Sequence, residues 1–283
     1  MRRLLVALLL VACEGGESPA LLPPGRGTVT CTAPGDKPVI LHYFIPDAGR
    51  AAMPLLFVFP GIDRDAGNYL DAWIDNATAD GRAVIAFEFP ASSFTTNEYI
   101  TGGVIDAAGR PVAPAARSFA VVGSAFELLK NLTGSRVDRH DMFGHSAGAQ
   151  FVHRYLLFTP GAAVRRAVAA NAGWYTVPDL SVDFPHGLKG TGATPDDIRA
   201  AFSVPLTIHL GTGDTRQDAS LNTSAGAMLQ GPHRYARGLY FHDACAAIAR
   251  DAAFPLAWQK RELPGVGHDQ ARMAADAAAI FRD

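Results

Sequence analysis

Two kinds of hydrophobic pattern alternate along the chain. In one, apolar, β-branched or aromatic residues follow one another in short runs bounded by glycine and proline, which is typical of buried strands. In the other, apolar residues recur every three or four positions, which indicates amphipathic helices. This alternation predicts an α/β fold with a mostly parallel central sheet and helices on both of its faces. The predicted strands are 28–32, 39–45, 55–59, 83–89, 141–143, 164–170, 205–210 and 258–263, of which the first two form an antiparallel start, and the main predicted helices are 68–79, 118–132, 147–158 and 269–281.

Two polar segments that contain glycine and proline interrupt this alternation, at 91–116 and 178–202. Their weak periodicity predicts small loop excursions instead of a large lid. In sheets of this kind, ligands bind in the loops at the carboxyl ends of the strands. We therefore expect the functional residues in those loops.

The composition favours a single globular domain. With 283 residues, of which 48% are hydrophobic, the chain can bury one substantial core, and we predict one catalytic domain over 28–283. The 25 basic and 27 acidic residues leave a formal net charge of -2. So balanced a charge offers no extended positive surface to a polyanion, which argues against nucleic acid as a partner.

Residues 1–27 predict an export signal followed by a tether. Two arginines precede an unbroken apolar run at 4–12, which is the pattern of a signal peptide and is too short to span a bilayer as a helix. Cys13 follows Leu-Val-Ala, which resembles the bacterial lipobox, so lipidation of Cys13 is one prediction and ordinary cleavage after Ala20 is the other. Both routes predict an exported protein (periplasmic, an outer-membrane lipoprotein, or extracellular) that contacts a membrane only through such an anchor.

Either route leaves Cys31 and Cys245 as the cysteines of the mature domain. An even count in an oxidising compartment allows a disulfide between them. The alternative is two buried thiols that never meet, because the bond requires close and aligned backbones. Both interpretations remain open at this point.

The segment Gly144-His145-Ser146-Ala147-Gly148 fits the motif G-x-S-x-G. It follows a hydrophobic strand and precedes an amphipathic helix, the context of a sharp turn that raises a serine hydroxyl above a sheet. Glycine on either side lets the strand and the helix approach closely around a strained residue. We therefore predict that Ser146 is a catalytic nucleophile.

A serine hydroxyl is a poor nucleophile at neutral pH and needs a base to accept its proton. In enzymes with this turn, the base lies on the loop after the last strand, and an acid that orients the base follows the penultimate strand. His268, within the glycine-rich 265–269, and Asp214, within 211–214, occupy these places. Asp218 is a rival for the acid, and capping of its own turn is the alternative role for Asp214. For the other histidines, packing or surface roles suffice.

Attack on a carbonyl generates an oxyanion, which two backbone N–H groups usually stabilise. The expected donors are Ala147, directly after the serine, and Ile62, in the loop after the strand 55–59. Asp63 is the alternative to Ile62, because the loop reads Pro60-Gly61 where most proteins of this kind have His-Gly.

These motifs resemble those of the α/β-hydrolase superfamily over essentially the whole mature chain. More narrowly, the segments 60–66, 143–154 and 171–175 resemble those of bacterial poly(aspartic acid) hydrolases and of the neighbouring polyhydroxyalkanoate depolymerase-like esterases. The resemblance implies the α/β-hydrolase fold and serine hydrolase activity. The chain has no H-E-x-x-H, no Cys-x-x-Cys and no strand-linked G-x-G-x-x-G, so we expect neither a metal nor a cofactor.

Three residues are candidate substrate contacts if the resemblance extends to the substrate. Every unit of poly(aspartic acid) carries a carboxylate, and Arg64, on the predicted oxyanion loop, is predicted to bind it as a bidentate partner. A surface arginine paired with a neighbouring aspartate is the alternative. Trp174 and Tyr175 are predicted to form the apolar wall of the cleft, with core packing as their alternative.

The sequence thus predicts an exported serine hydrolase that cleaves amide or ester bonds of a small or polymeric substrate through an acyl-enzyme, with poly(aspartic acid) as a candidate substrate. Because an acyl-enzyme serves esters and amides alike, a carboxylesterase or a polyhydroxyalkanoate-type depolymerase is the alternative. An alternative of another class is a binding lipoprotein that kept the fold and lost the activity. The sequence makes no prediction of the oligomeric state.

Overall fold

An eight-stranded sheet runs through the part of the chain that the computed structural model describes, residues 20–282. The strand order is β1-β2-β4-β3-β5-β6-β7-β8, and β2 is antiparallel to both of its neighbours, whereas the other neighbouring strands are parallel. The predicted α/β fold with a mostly parallel sheet is therefore confirmed. The strands are β1 (Gly25–Ala33), β2 (Lys37–Ile45), β3 (Leu55–Phe59), β4 (Ala83–Glu88), β5 (His140–His145), β6 (Val164–Ala170), β7 (Leu206–Gly211) and β8 (Trp258–Leu263).

Helices cover both faces of this sheet. They are α1 (Ala66–Asp71), α2 (Ile74–Asp80), α3 (Thr96–Ile100), α4 (Ala120–Thr133), α5 (Ala147–Phe158), α6 (Pro195–Ser203), α7 (Ala225–Leu229), α8 (Arg234–Asp251) and α9 (Gln270–Arg282), with a 3₁₀ turn at Pro114–Ala116. One hydrophobic cluster joins the sheet to α4, α5, α6 and α8, and a second, smaller cluster joins it to α1, α2 and α9.

The inner strand β3 shows why the sheet is covered on both sides. All five of its residues are buried. Because successive side chains of a strand point to opposite faces, Leu55, Phe57 and Phe59 join the larger cluster, and Leu56 and Val58 join the smaller one. A continuous apolar run is what such a strand requires. The parallel strands then end at the same edge, where the loops after β3, β5, β7 and β8 meet.

The predicted helix 68–79 is divided into α1 and α2. Trp73 lies at the division, and its N–H donates to the carbonyl of Leu70 (3.0 Å), an i to i−3 bond that tightens the turn. Its buried ring packs edge-on against Phe143, with ring centroids 5.0 Å apart. Apolar residues keep the same spacing on both sides of Trp73, so the periodicity does not reveal the division.

The hypothesis of a disulfide between Cys31 and Cys245 is wrong: both are free, buried thiols. Cys31 is on β1, at one edge of the sheet, and Cys245 is on α8, which packs on β7 and β8 at the other edge. Six strand spacings of about 4.8 Å separate β1 from β7, or about 29 Å, whereas disulfides need Cα atoms within about 7 Å. The alternative interpretation, two separate thiols, is the one that the structure has.

The predicted export signal, including Cys13, lies outside the described residues. Within residues 20–282, no helix has both the length and the apolar character that crossing a bilayer requires. The excursion at 91–116 contains α3, the 3₁₀ turn and an isolated bridge between Ile105 and Pro111.

Candidate active site

Ser146 lies at a strained turn between β5 and α5. Its backbone has φ 56° and ψ -115°, a conformation that residues with a side chain rarely adopt. The flanking glycines make the turn sterically possible: a Cβ on Gly144 would lie 2.2 Å from the carbonyl oxygen of Gly148, and a Cβ on Gly148 would lie 1.8 Å from that of Phe59. The sequence therefore forms this turn because glycine is the residue that fits at both positions.

His268 and Asp214 face each other from neighbouring loops. Asp214 follows β7, and His268 follows β8. The Nδ1 atom of His268 donates to Oδ2 of Asp214 over 2.7 Å, and Asp214 is only 1% exposed. This hydrogen bond fixes the ring orientation and leaves Nε2 as the nitrogen without a proton in the neutral ring.

Asp218, the rival acid, is part of a different contact. Both of its carboxylate oxygens accept hydrogen bonds from the guanidinium of Arg234, at 2.9 and 3.0 Å. This bidentate contact holds the pKa of Asp218 well below its usual range. Arg234 also lies 3.7 Å from Oδ1 of Asp214, so one buried arginine joins the two aspartates. Nδ1 of His268 thus bonds to Asp214, and Asp218 bonds to Arg234.

His145, next to Ser146, packs against His268. The ring centroids of His145 and His268 are 4.5 Å apart, and the hydroxyl of Tyr69 lies 2.9 Å from Nδ1 of His145. Burial keeps the pKa of His145 well below its usual value and raises that of Tyr69, so we infer that the phenol donates to a neutral imidazole. A neutral His145 places no positive charge beside the ring of His268.

Asn171 ties together the loops that carry Asp214 and His268. It follows β6 and is fully buried. Its Oδ1 accepts from the N–H of Gly211 (2.8 Å), and its Nδ2 donates to the carbonyl of Gly267 (3.1 Å). One side chain thus sets the spacing of both loops.

Two cavities meet at Ser146, and both are lined by Ile62, Ser146 and Ser220. We call the first the histidine-side cavity; it has a volume of about 390 Å³ and is also lined by Gly61, Asp63, Arg64, Asp65, Asn68, Tyr69, His145, His268 and Gln270. We call the second the tryptophan-side cavity; it has a volume of about 420 Å³ and is also lined by Thr96, Ile100, Ala147, Gln150, Gly173, Trp174, Ala219, Leu221, Asn222 and Arg234. The hydroxyl of Ser146 is therefore accessible from both sides.

The predicted oxyanion donors lie on either side of the serine. Ala147 is the first residue of α5, so its N–H has no partner within the helix. Ile62 is 43% exposed and borders both cavities. A Cβ on the preceding Gly61 would lie 3.8 Å from that of Ser146, which shows how closely this loop approaches the turn. Asp63, the alternative donor, borders the histidine-side cavity alone.

No family model matches the chain, and no curated protein matches it. Solved structures do. The poly(aspartic acid) hydrolase-1 from Sphingomonas sp. KT-1 is 38% identical, with a TM-score of 0.90 over 93% of this chain and 100% of that chain. The chain belongs to the α/β-hydrolase superfamily.

Two further solved structures are similar to the chain. This chain is 31% identical to LpqC, a poly(3-hydroxybutyrate) depolymerase from Bordetella parapertussis, with a TM-score of 0.88 over 92% of this chain and 89% of that chain. The S-formylglutathione hydrolase FrmB from Staphylococcus aureus is 14% identical, with a TM-score of 0.60 over 91% and 97% of the two chains, and shows the fold alone.

Arg64 borders the histidine-side cavity, and part of its guanidinium is bonded to the protein itself. It is buried, and its Nη1 donates to the carbonyls of Phe89 (2.8 Å) and Phe94 (2.7 Å). Its guanidinium also lies over the ring of Tyr99, 5.2 Å from the centroid. A surface ion pair with a neighbouring aspartate does not match this geometry. Nη1 already donates to two carbonyls of the loop after β4, while the residue borders the histidine-side cavity, so the bidentate contact with a substrate carboxylate stays a prediction.

Replacing Arg64 with methionine should therefore destabilise the protein. The carbonyls of Phe89 and Phe94 would lose their hydrogen-bond donor, which should lower the free energy of unfolding by about 1–3 kcal/mol. Chemical denaturation measures this change. The exposed Arg110, which pairs with Asp106, is the matched control, and Arg110→Met should change that free energy little. A loss of activity confined to anionic substrates, with stability unchanged, would instead support the substrate contact of Arg64.

The two predicted aromatic residues have different environments. Trp174 lines the tryptophan-side cavity, as expected of a cleft wall. Tyr175 is fully buried and stacks on Phe241, with ring centroids 4.4 Å apart, so it belongs to the core. The prediction of a cleft wall is therefore wrong for Tyr175, because adjacent residues of a chain commonly face opposite ways.

No role was predicted from the sequence for Asn171, Gln150 or Arg234. Asn171 and Gln150 stand in segments that carried the family resemblance, and Gln150 lies one helical turn after the serine, a spacing that could have indicated a shared helix face. Arg234 carried no such signal, since it is 88 positions from Ser146 in the sequence. Among the described residues, no group of three or more histidine, cysteine, aspartate or glutamate side chains is arranged to hold a metal ion.

Proposed function

We propose that the protein is a serine hydrolase in which Ser146 is the nucleophile, His268 the general base and Asp214 the acid that orients it. The observation that supports this most is the 2.7 Å hydrogen bond from His268 to a buried Asp214, with His268 and Ser146 lining one cavity. The hydrogen bond directs the lone pair of Nε2 away from Asp214, as a base for the serine requires.

The first half of the reaction forms the acyl-enzyme. His268 Nε2 takes the proton of Ser146 as Oγ attacks the carbonyl carbon, and Asp214 stabilises the resulting imidazolium. The N–H groups of Ala147 and Ile62 stabilise the negative oxygen. When the tetrahedral intermediate collapses, the bond to the leaving nitrogen or oxygen breaks, and His268 returns its proton to that atom.

The second half uses water. His268 removes a proton from a water molecule, whose oxygen attacks the acyl carbon. Collapse of this second intermediate releases the carboxylic acid and returns the proton to Ser146. The same residues therefore serve both steps, and no group beyond water is consumed.

We propose poly(aspartic acid) as the substrate. Support comes from the 38% identity to a poly(aspartic acid) hydrolase-1 along all of that chain. A polyester is the second candidate, favoured by the 31% identity to a poly(3-hydroxybutyrate) depolymerase. Since both bonds are cleaved through an acyl-enzyme, the triad does not choose between them.

The test compares both polymers with the purified mature domain. We expect the wild type to shorten poly(aspartic acid), measured by size-exclusion chromatography, and to release less product from poly(3-hydroxybutyrate). Ser146→Ala, which keeps the fold but lacks the nucleophile, is the matched control and should release nothing from either. The reverse preference would favour a polyester depolymerase.

Labelling by a fluorophosphonate probe tests the mechanism separately. The wild type should be labelled at Ser146, because the probe reacts with an activated serine. A properly folded wild type that neither reacts with the probe nor cleaves any substrate would instead be a binding protein of this fold.

We also propose that the protein is exported, on the strength of the arginines and the apolar run at its start. Mass spectrometry of the mature protein distinguishes the two processing routes. A lipidated Cys13 at the N-terminus would mark a lipoprotein, and an N-terminus at Leu21 would mark cleavage after Ala20.

A further inference from the structure

A buried arginine lies behind the tryptophan-side cavity. Arg154, on α5, is fully buried, and its hydrogen bonds go to neutral groups: the Thr176 hydroxyl (2.7 Å), the Ile100 carbonyl (2.8 Å), and the backbone and side-chain oxygens of Gln150 (3.3 and 3.2 Å). Its Nη2 has no partner among the described residues. A buried cation without a carboxylate is rare, because desolvation of an unpaired charge is costly.

Arg154 sets the orientation of Gln150. Because Oε1 of Gln150 accepts from Arg154, its amide nitrogen is directed elsewhere. That nitrogen donates to no other group in the described part of the chain, and a Cβ on Gly173 would lie 3.0 Å from it. Gln150 and Gly173 both line the tryptophan-side cavity. The amide N–H of Gln150 is thus a hydrogen-bond donor at this cavity whose orientation is fixed and whose bonding capacity is unused.

The charges near this cavity favour an anion. Arg237 is also fully buried, and its guanidinium donates to the carbonyls of Gly173 (2.6 Å) and Asn222 (2.8 Å), two residues that line the cavity. Arg234 pairs with Asp214 and Asp218, whereas neither Arg154 nor Arg237 has a carboxylate partner among the described residues. Arg154 lies instead over the ring of Trp174, 4.0 Å from its centroid, so positive charge near the cavity is left without a counter-ion where little water screens it.

The position of the base decides which half of a substrate occupies this cavity. A leaving group must lie next to the histidine that protonates it. His268 lines the histidine-side cavity and not the other one. The leaving group therefore belongs on the histidine side, and the acyl group on the tryptophan side.

We propose that the tryptophan-side cavity is an acyl subsite for carboxylate-bearing acyl groups, in which the Gln150 amide, oriented by Arg154, donates to that carboxylate. This rests on the proposed serine hydrolase function and adds a specificity-determining residue to it. In poly(aspartic acid), α and β linkages alike place a free carboxylate two carbons from the scissile carbonyl, which is the arrangement of a succinyl group.

Two esters of the same phenol test the subsite. The succinyl and butyryl esters differ by a carboxylate in place of a methyl group. We expect the wild type to have a kcat/KM at least about tenfold higher for the succinyl ester, the scale of one charge-assisted hydrogen bond. In Gln150→Glu, which replaces the donor with a like charge, that ratio should fall about 10- to 100-fold. Gln150→Met, which removes the donor without adding charge, should lower the ratio less.

Two controls separate the subsite from general effects. Gln259→Glu adds the same charge on the exposed strand β8 and should leave the ratio unchanged. A second control is an ester of butyric acid whose alcohol half carries a carboxylate. The Gln150 variants should change its kcat/KM by no more than they change that of the butyryl ester. Thermal melts of each variant confirm that it is folded.

The outcomes distinguish this proposal from the function on which it rests. If folded Gln150 variants lower kcat/KM equally for both esters, or if the wild type has no preference, the subsite is wrong and the hydrolase stands. If the Gln150 variants specifically lower kcat/KM for the ester whose alcohol half carries the carboxylate, the cavity binds leaving groups and the proposal is overturned. If neither ester is cleaved and the fluorophosphonate probe does not react, the serine hydrolase function itself fails.

Discussion

Replacing Ser146 with alanine is expected to lower kcat by about 10⁶-fold, the scale found when the nucleophile of a catalytic triad is removed. The hydroxyl forms the covalent bond, and no neighbouring group replaces it. Alanine keeps the Cβ, and the serine side chain borders two cavities, so loss of one oxygen leaves no gap in the core. The measurement is single-turnover kinetics on an activated ester, with a denaturation curve to show that stability is retained.

His268→Ala provides the matched comparison for this result. Members of one catalytic unit are not additive, so the double variant Ser146→Ala/His268→Ala should be about as slow as either single variant. Substantial turnover by folded Ser146→Ala, or losses that multiply in the double variant, would contradict a shared mechanism.

Asp214→Asn should have the next largest effect, a fall in kcat of about 10⁴-fold. An asparagine can keep the contact with His268 by offering either its amide N–H or its oxygen, so the ring can adopt the wrong tautomer, and the imidazolium loses its counter-charge. The measurement is kcat on an activated ester at neutral pH, compared with the wild type and with Asp218→Asn. Asp218→Asn is the control, because its side chain is partly exposed and paired with Arg234.

The control should lose far less activity, because Asp214 accepts the hydrogen bond from Nδ1 of His268, whereas Asp218 makes no contact with His268 among the described residues. If Asp218→Asn were instead the more damaging substitution, Asp218 would be the acid, and the hydrogen bond between Asp214 and His268 would serve only to hold two loops together.

Features with a local cause could be predicted from the sequence. The turn at Ser146 depends on Gly144 and Gly148, which are within two residues of it, and its place between a strand and a helix follows from periodicity. The apolar runs also predicted the sheet, because a strand covered on both faces must be hydrophobic throughout. Asp214 and His268 were assigned from their places after the last two strands, which the order of elements along the chain gives.

Features that depend on contacts between distant parts of the chain could not be predicted from the sequence. Arg64 donates to carbonyls 25 and 30 residues further along the chain, contacts that its place on the predicted oxyanion loop does not indicate. Tyr175 shares a loop with Trp174, yet its environment is set by Phe241 on α8. The distance between Cys31 and Cys245 follows from the order of the strands, which neither cysteine reveals.

Where α5 crosses the end of β3, peptide groups face each other with no side chain between them, because Gly148 lies against the carbonyl of Phe59. Side chains can exchange rotamers, but two peptide planes in contact cannot yield without moving a helix or a strand. The gap between the proposed oxyanion donors, the N–H groups of Ala147 and Ile62, is thus tied to the framework of the sheet. Changes to residues of the loops 171–175 and 215–222 would then alter the walls of the cavities while the spacing of the two proposed donors stays the same.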